Sequence, residues 1–167
     1  MISRRYIRDM ALYNKWQNET LYGLCADLTA DERSRDRKMF FTSIHGTLNH
    51  ILLVDQVILD FINSGVRPKW QPDHILHEDF DDLTVARQAF DQRLLDLADT
   101  VEADWLAGTV AFPSPRQGET ANIPRAYFLM QMFNHQTHHR SQITSELHKE
   151  EIDYGITDMP FNPYMEY

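Results

Sequence analysis

A chain of 167 residues, 43% apolar and 25% charged, can bury a sizeable core and is expected to form one domain over 1–167. Its formal net charge of −9 argues against a nucleic-acid partner, which needs a basic face. No run approaches the roughly 18 apolar residues of a membrane span, the first residues hold no signal-peptide core, and the single Cys25 excludes an internal disulfide; the expectation is a cytoplasmic protein with no membrane partner.

In chain order, a first helix is predicted over 2–27, where Tyr6, Met10, Tyr13, Gln17, Leu21 and Leu24 recur at helical spacing. Asn14-Lys15-Trp16-Gln17-Asn18 is polar for that helix. Either Trp16 packs while the amides face water, or an amide reaches into a site. Cys25, among Leu21, Leu24 and Leu28, fits a buried inert thiol better than a nucleophile. Thr29 and Glu32 have the spacing of a capping box that could open a short helix, and Arg33 to Lys38 has the pattern of a solvated charge run.

A second helix is predicted over 42–63, with Ser43 as N-cap and Leu53, Val54, Val57, Ile58 and Phe61 as its apolar stripe. His50 lies on that stripe. His45 falls about half a turn away and is left out of the core set. Ser64-Gly65 and Pro68 stop the helix. The connection 65–82, with Pro68, Trp70, Pro72, His74 and His77, is long for a compact domain and either carries a helical turn or covers something. Leu83-Thr84 opens a third helix through Phe90 and Leu94 to about Thr100. Within 106–123, β-prone Gly108 to Phe112, a turn cluster from Pro113 through Pro115 and Gln117 to Gly118, and a returning segment to Ile123 suggest a small hairpin. Pro124 fits the first position of a fourth helix over 124–148. The tail brings Tyr154, Phe161, Tyr164 and Tyr167, expected to pack on the bundle or on a partner. The fold class that follows is all-α, a four-helix bundle with a possible small hairpin before the last helix.

The chemistry concentrates in Asn134-His135-Gln136-Thr137-His138-His139-Arg140, inside a stretch free of Pro and Gly. His135 and His139, four apart, share a helix face with Phe128, Met132 and Ile143, so both point inward. Two inward imidazoles one turn apart make half of a metal site. His50 is the third candidate. Three histidines with no fourth protein ligand leave positions open for water or substrate, the pattern of a catalytic site. The alternative is three core histidines, each bonded to a backbone carbonyl. His138 and His148 lie off the stripe and are expected to be exposed. Arg140 either forms a salt bridge with an acidic neighbour or acts catalytically by holding a carboxylate of the substrate. Metal affinity should fall below the free imidazole pKa of about 6.5.

At these residues the chain resembles the DinB-like family of metal-binding four-helix bundles. Tyr13-Asn14-Lys15-Trp16-Gln17-Asn18-Glu19 resembles the family's first-helix motif, and Ser43 to Leu52 resembles the segment ending in its first metal histidine. His135-Gln136-Thr137-His138-His139-Arg140-Ser141-Gln142 resembles the last-helix HxxxHRGQ motif, with Ser141 where glycine is usual, and Asp153 to Pro160 resembles the tail. The resemblance implies that His50, His135 and His139 bind zinc, nickel or a similar divalent ion. It also implies frequent homodimers and small-molecule enzymes rather than DNA binders; related families include low-molecular-weight thiol S-transferases and a thiol-dependent isomerase.

Three functions follow as expectations. The first is a metal-dependent S-transferase acting on a small-molecule substrate with a small thiol as cosubstrate. The second is a metal-dependent hydrolase. The third is a non-catalytic metal-binding stress-response protein acting through its dimer surface, with helix one or four and the aromatic tail at the interface. An enzyme needs a cavity beside the metal, lined from 65–82 and 108–122; a structural protein would close the site with a fourth ligand.

Overall fold

The computed structural model describes residues 2–114, 116 and 118–165; Pro115 and Gln117 of the turn cluster and Tyr167 of the tail lie outside the described residues. Helix α1 (Arg4–Ala26) is capped by Ser3, whose hydroxyl accepts from the Tyr6 N–H. Its buried side holds Ile7, Ala11, Asn14, Asn18, Leu21 and Cys25, while Tyr6 is 38% exposed. The inward stripe is therefore turned by about one residue from the predicted one. Two of its positions are amides, which an apolar periodicity cannot mark. Of the two readings of these amides, the one in which they face water falls: Asn14 and Asn18 are buried.

Helix α2 (Ala30–Ser34) begins at the predicted capping box, with Glu32 Oε2 accepting from the Thr29 N–H at 2.7 Å. The charge run after it is not wholly solvated. The Arg37 side chain is 4% exposed and pairs with Glu150 at 2.9 Å, so one guanidinium is drawn under the C-terminal end of the last long helix. Helix α3 (Ile44–Ser64) has its predicted N-cap, Ser43 Oγ accepting from the Gly46 N–H at 3.0 Å. It ends at Gly65, whose φ of 71° is the left-handed cap that favours glycine.

Helix α4 (Phe80–Thr100) starts three residues before the predicted Leu83, because the Asp79 carboxylate caps the N–H groups of Asp81 and Asp82. A one-turn helix α5 (Ala103–Ala107), not foreseen, precedes the hairpin of β1 (Thr109–Pro113) and β2 (Thr120–Pro124). The strands pair antiparallel with Thr109 opposite Pro124. Pro124 closes β2 instead of opening the last helix, and α6 (Arg125–Lys149) follows directly.

The four long helices share one core. Helix α1 packs on α4 and α6, and α3 packs on α6 and α4. Ile7, Leu52, Leu83, Leu94, Leu129 and Ile143 are wholly buried, each stabilising by about 1.5–3 kcal/mol. Helices α3 and α6 run antiparallel: His50 meets His135, and Phe61, farther along α3, meets Phe128, farther back on α6. No helix among the described residues is long and apolar enough to cross a membrane.

Candidate metal centre

His50 projects from α3 and His135 and His139 from α6, into one space. Ring centroids lie 5.0 Å apart for His50–His135, 4.7 Å for His50–His139 and 4.4 Å for His135–His139. One donor nitrogen from each lies within 4.8 Å of the others, and among the described residues no Cys, Asp, Glu or further His joins the group. The one-turn spacing on α6 and the antiparallel packing of α3 make this convergence possible.

Outer contacts orient two of the rings. His50 Nδ1 lies 2.7 Å from the Pro72 carbonyl, and His139 Nδ1 lies 2.9 Å from Gln142 Oε1. Both partners are acceptors, so each Nδ1 carries the hydrogen and each Nε2 turns its lone pair inward. His135 Nε2 approaches His50 Nε2 at 3.1 Å, while its buried Nδ1 has no partner among the described residues. Phe41 stacks on His50, centroids 3.6 Å apart at 19°, and covers one side. Burial pushes the His50 imidazole down to about 4 and His135 to about 3, and it also lowers His139. The cluster is neutral at physiological pH, the state in which imidazoles bind a cation. Converging lone pairs, two fixed tautomers and neutral rings fit a divalent ion with open positions.

The other predicted residues fall elsewhere. His138 and His148 are exposed, as expected from their register. His45 is a correction: it is buried, and its Nε2 lies 2.9 Å from the His77 carbonyl. It ties the connection 65–79 to α3 and takes no part in the triad. Asn49, which the stripe analysis passed over, has the same task; its Oδ1 accepts from the N–H groups of Leu76 and His77 at 2.9 Å each.

Arg140 is not brought to the triad. It is 5% exposed on the α1 side of α6, where its Nη1 donates to Asn14 Oδ1 at 2.8 Å. Among the described residues its hydrogen-bond partners are amides and a hydroxyl, not a carboxylate. Burial lowers its pKa to about 10. It belongs to a buried polar network in which Arg87 pairs with Asp55 at 2.6 Å and with Asp91 at 3.0 Å. Asn18 donates to Asp91 at 2.9 Å, and Gln136 donates to Asp55 at 2.6 Å. So the first-helix amides serve neither water nor the metal centre.

Between α3 and α6, with a lining that starts one helical turn from the triad at Val54 and Gln131 and includes none of the three histidines, lies a cavity of about 190 Å³. Arg67, Pro68 and Trp70 of the connection and Phe112 of β1 form part of its wall. These are the two segments from which an enzyme's cavity was expected.

The fold is similar to that in the crystal structure of a DinB-like protein from Bacillus cereus ATCC 10987, with a TM-score of 0.62 and 17% identity over 84% of this chain and 90% of that one. At that identity the likeness speaks for the fold alone. No curated protein matches the sequence. The model of the DinB family matches residues 1–166, which is nearly the whole length, and the chain therefore belongs to the DinB family.

Proposed function

We propose that this protein is a metal-dependent enzyme that joins a low-molecular-weight thiol to a small electrophile. The observation that carries the reading is a triad of converging lone pairs, joined by no fourth Cys, His, Asp or Glu among the described residues, with a cavity that begins one helical turn away. His50, His135 and His139 would hold the ion, zinc or nickel being the best suited to an all-imidazole set. Bound there, the ion would lower the pKa of a coordinated thiol or water. The chain itself supplies orientation and dryness. Pro72 and Gln142 hold two imidazoles in the binding tautomer, Phe41 shields His50, and the apolar walls keep water from the acceptor. In the overall reaction a sulfur–carbon bond forms as the carbon's bond to its leaving group breaks; with an alkyl halide the thiol proton and the halide depart, and with an epoxide the released oxygen stays on the product and takes up the proton as a hydroxyl. A dry acceptor site favours thiol transfer over hydrolysis, and an open site with a cavity favours an enzyme over a structural metal protein.

We also propose a homodimer without nucleic-acid affinity. Ile156, Phe161 and Tyr164 expose 52%, 63% and 42% of their surface on the tail, an apolar area that a second copy would cover. Light scattering at micromolar concentration should give twice the chain mass; a monomer refutes this part. For the activity, metal analysis of the untagged protein comes first. A screen of small thiols against alkyl halides and epoxides, following thiol loss, comes second. Stoichiometric metal with metal-dependent thioether formation supports the proposal, and metal-bound protein that consumes no thiol in any pairing defeats it.

A further inference from the structure

The stripes that supply the triad continue past it. On α3, Val54 lies one turn beyond His50, and Val57 and Phe61 follow on the same face. On α6, Gln131 lies one turn before His135, with Phe128 preceding it. All five line the cavity of about 190 Å³. It therefore opens about 6 Å along each helix from the metal ligands. The connection 65–79 runs back along the same groove: Arg67 and Trp70 line the cavity, and the Pro72 carbonyl meets His50. Ligands and cavity lining thus follow one another along one trough between the two helices, the lining beginning one turn from the histidines and including none of them.

The lining is apolar and aromatic except for Gln131 and Arg67, and it contains no carboxylate. Arg67 sits at the end remote from the triad, its guanidinium 5.3 Å from the Phe112 ring centre. It is exposed, and among the described residues it forms no ion pair. An apolar cavity of roughly 150 Å³ accommodates benzene, so this one suits a single ring with a short chain. A free guanidinium on an aromatic face at the rim suits a carboxylate.

We propose that this trough is the acceptor site and that its substrate is a compact apolar monocarboxylic acid. The apolar body fills the cavity, the carboxylate meets Arg67, and the reacting carbon faces the triad. This rests on the enzyme reading above for its chemistry, although the binding it predicts needs no turnover.

The test is binding of 3-phenylpropionate and of its neutral isostere 3-phenylpropan-1-ol to the full chain, metal-free and zinc-loaded, by calorimetry and by tryptophan fluorescence. Both should saturate, the acid more tightly. Arg67→Gln, at an exposed position that the fold does not need, should weaken the acid about tenfold and leave the alcohol within about twofold. Val57→Trp should fill the cavity and abolish both; Val57→Phe, a smaller intrusion, should weaken both. His139→Ala should still bind the acid. No saturation by about 10 mM acid, or an equal loss of acid and alcohol in Arg67→Gln, overturns the proposal. If the acid binds as described but no thiol is consumed, the trough stands and the enzyme reading falls. If thioether formation occurs and the acid neither binds nor competes, the reverse holds.

Discussion

Helix α6 carries two polar pairs, each with one-turn spacing, on adjacent faces. Gln136 and Arg140 face a network in which donors meet acceptors: Gln136 donates to Asp55, and Arg140 donates to Asn14. Two guanidiniums, Arg87 and Arg140, are buried with two carboxylates, Asp55 and Asp91. His135 and His139, one position earlier, face His50 with acceptors converging on acceptors. Both clusters are sheltered by the same core. The first balances its charges within the chain and is structural. The second brings three lone pairs together with no donor among them. A buried polar group demands a partner, so the cluster whose lone pairs point at one another is the one built for a ligand. The predictions below test that separation, beginning with the largest effect.

Replacing His139 by Ala should abolish stoichiometric metal binding, because two imidazoles hold a divalent ion weakly. His138→Ala, at an exposed position one residue away, should bind metal as the parent does. Elemental analysis after gel filtration decides it: metal retained by the His139 variant and lost by the His138 variant would mean that the observed helical register is wrong.

Asp55→Ala should have the opposite profile. It leaves the Arg87 guanidinium, which is 2% exposed, with Asp91 as its one remaining carboxylate, and leaves Gln136 without its acceptor. Removing one partner of a buried pair costs about 3–5 kcal/mol. Denaturant unfolding should show that loss while the folded variant still binds one equivalent of metal. A loss below about 1 kcal/mol would mean that the network does not hold the helices together.

Gln142→Ala should separate orientation from ligation. It removes the acceptor on His139 Nδ1 and no ligand, so metal affinity should fall about 10–100-fold with stability little changed. Unchanged affinity would refute the tautomer argument.

Acid should act later on the triad than free histidines suggest. Burial holds His50 near 4 and His135 near 3, so protons compete for these two rings only toward those values. Metal affinity should persist below the unperturbed 6.5 and be lost as pH approaches 4. The sign for folding follows from the same shift. Between 6.5 and about 4 the unfolded chain binds more protons at these two positions than the folded one, so the metal-free protein loses stability as pH falls. Asp55, raised by burial to about 6, works in the other direction below that value. The decline should therefore be steepest just below 6.5. Zinc titrations and thermal melts from pH 8 down to about 3.5 check both statements; affinity falling steeply at 6.5 would show that the rings titrate as free imidazoles.

The two faces of α6 were unequally legible in the sequence. His135 and His139 announce themselves because one helix supplies both, and His50 stands on an apolar stripe of its own. Asn14 and Asn18 gave no such sign. Their partners Arg140 and Asp91 lie 126 and 73 residues away, and amides at core positions blur the periodicity that would have aligned α1. Asp79 could have been found: an acid two and three residues before unpaired N–H groups is an N-cap signal. Pro72 could not, since it serves His50 through a backbone carbonyl that every residue possesses. The trough needs helix pairing, the connection and the hairpin together, and no local pattern encodes that.

The smallest effect sharpens the comparison most, because helices α3 and α4 are joined by two Arg–Asp pairs of similar length. Arg87 meets Asp55 at 2.6 Å and Arg93 meets Asp60 at 2.8 Å. The groups are the same, and only the surroundings differ. The side chains of the second pair are 47% and 59% exposed, so water screens their attraction and both side chains keep much of their freedom when apart. Arg93→Ala should cost less than about 1 kcal/mol, and raising the salt concentration should remove even that. Asp60→Ala combined with Arg93→Ala should add nothing beyond the single changes. Measured in the same denaturant series as Asp55→Ala, the pair gives a direct reading of what burial does to one chemistry within one helix interface. Equal losses for the two positions would mean that these helices are held by ion pairs as such, and the division of the core into a structural network and a ligand-seeking triad would lose its physical basis.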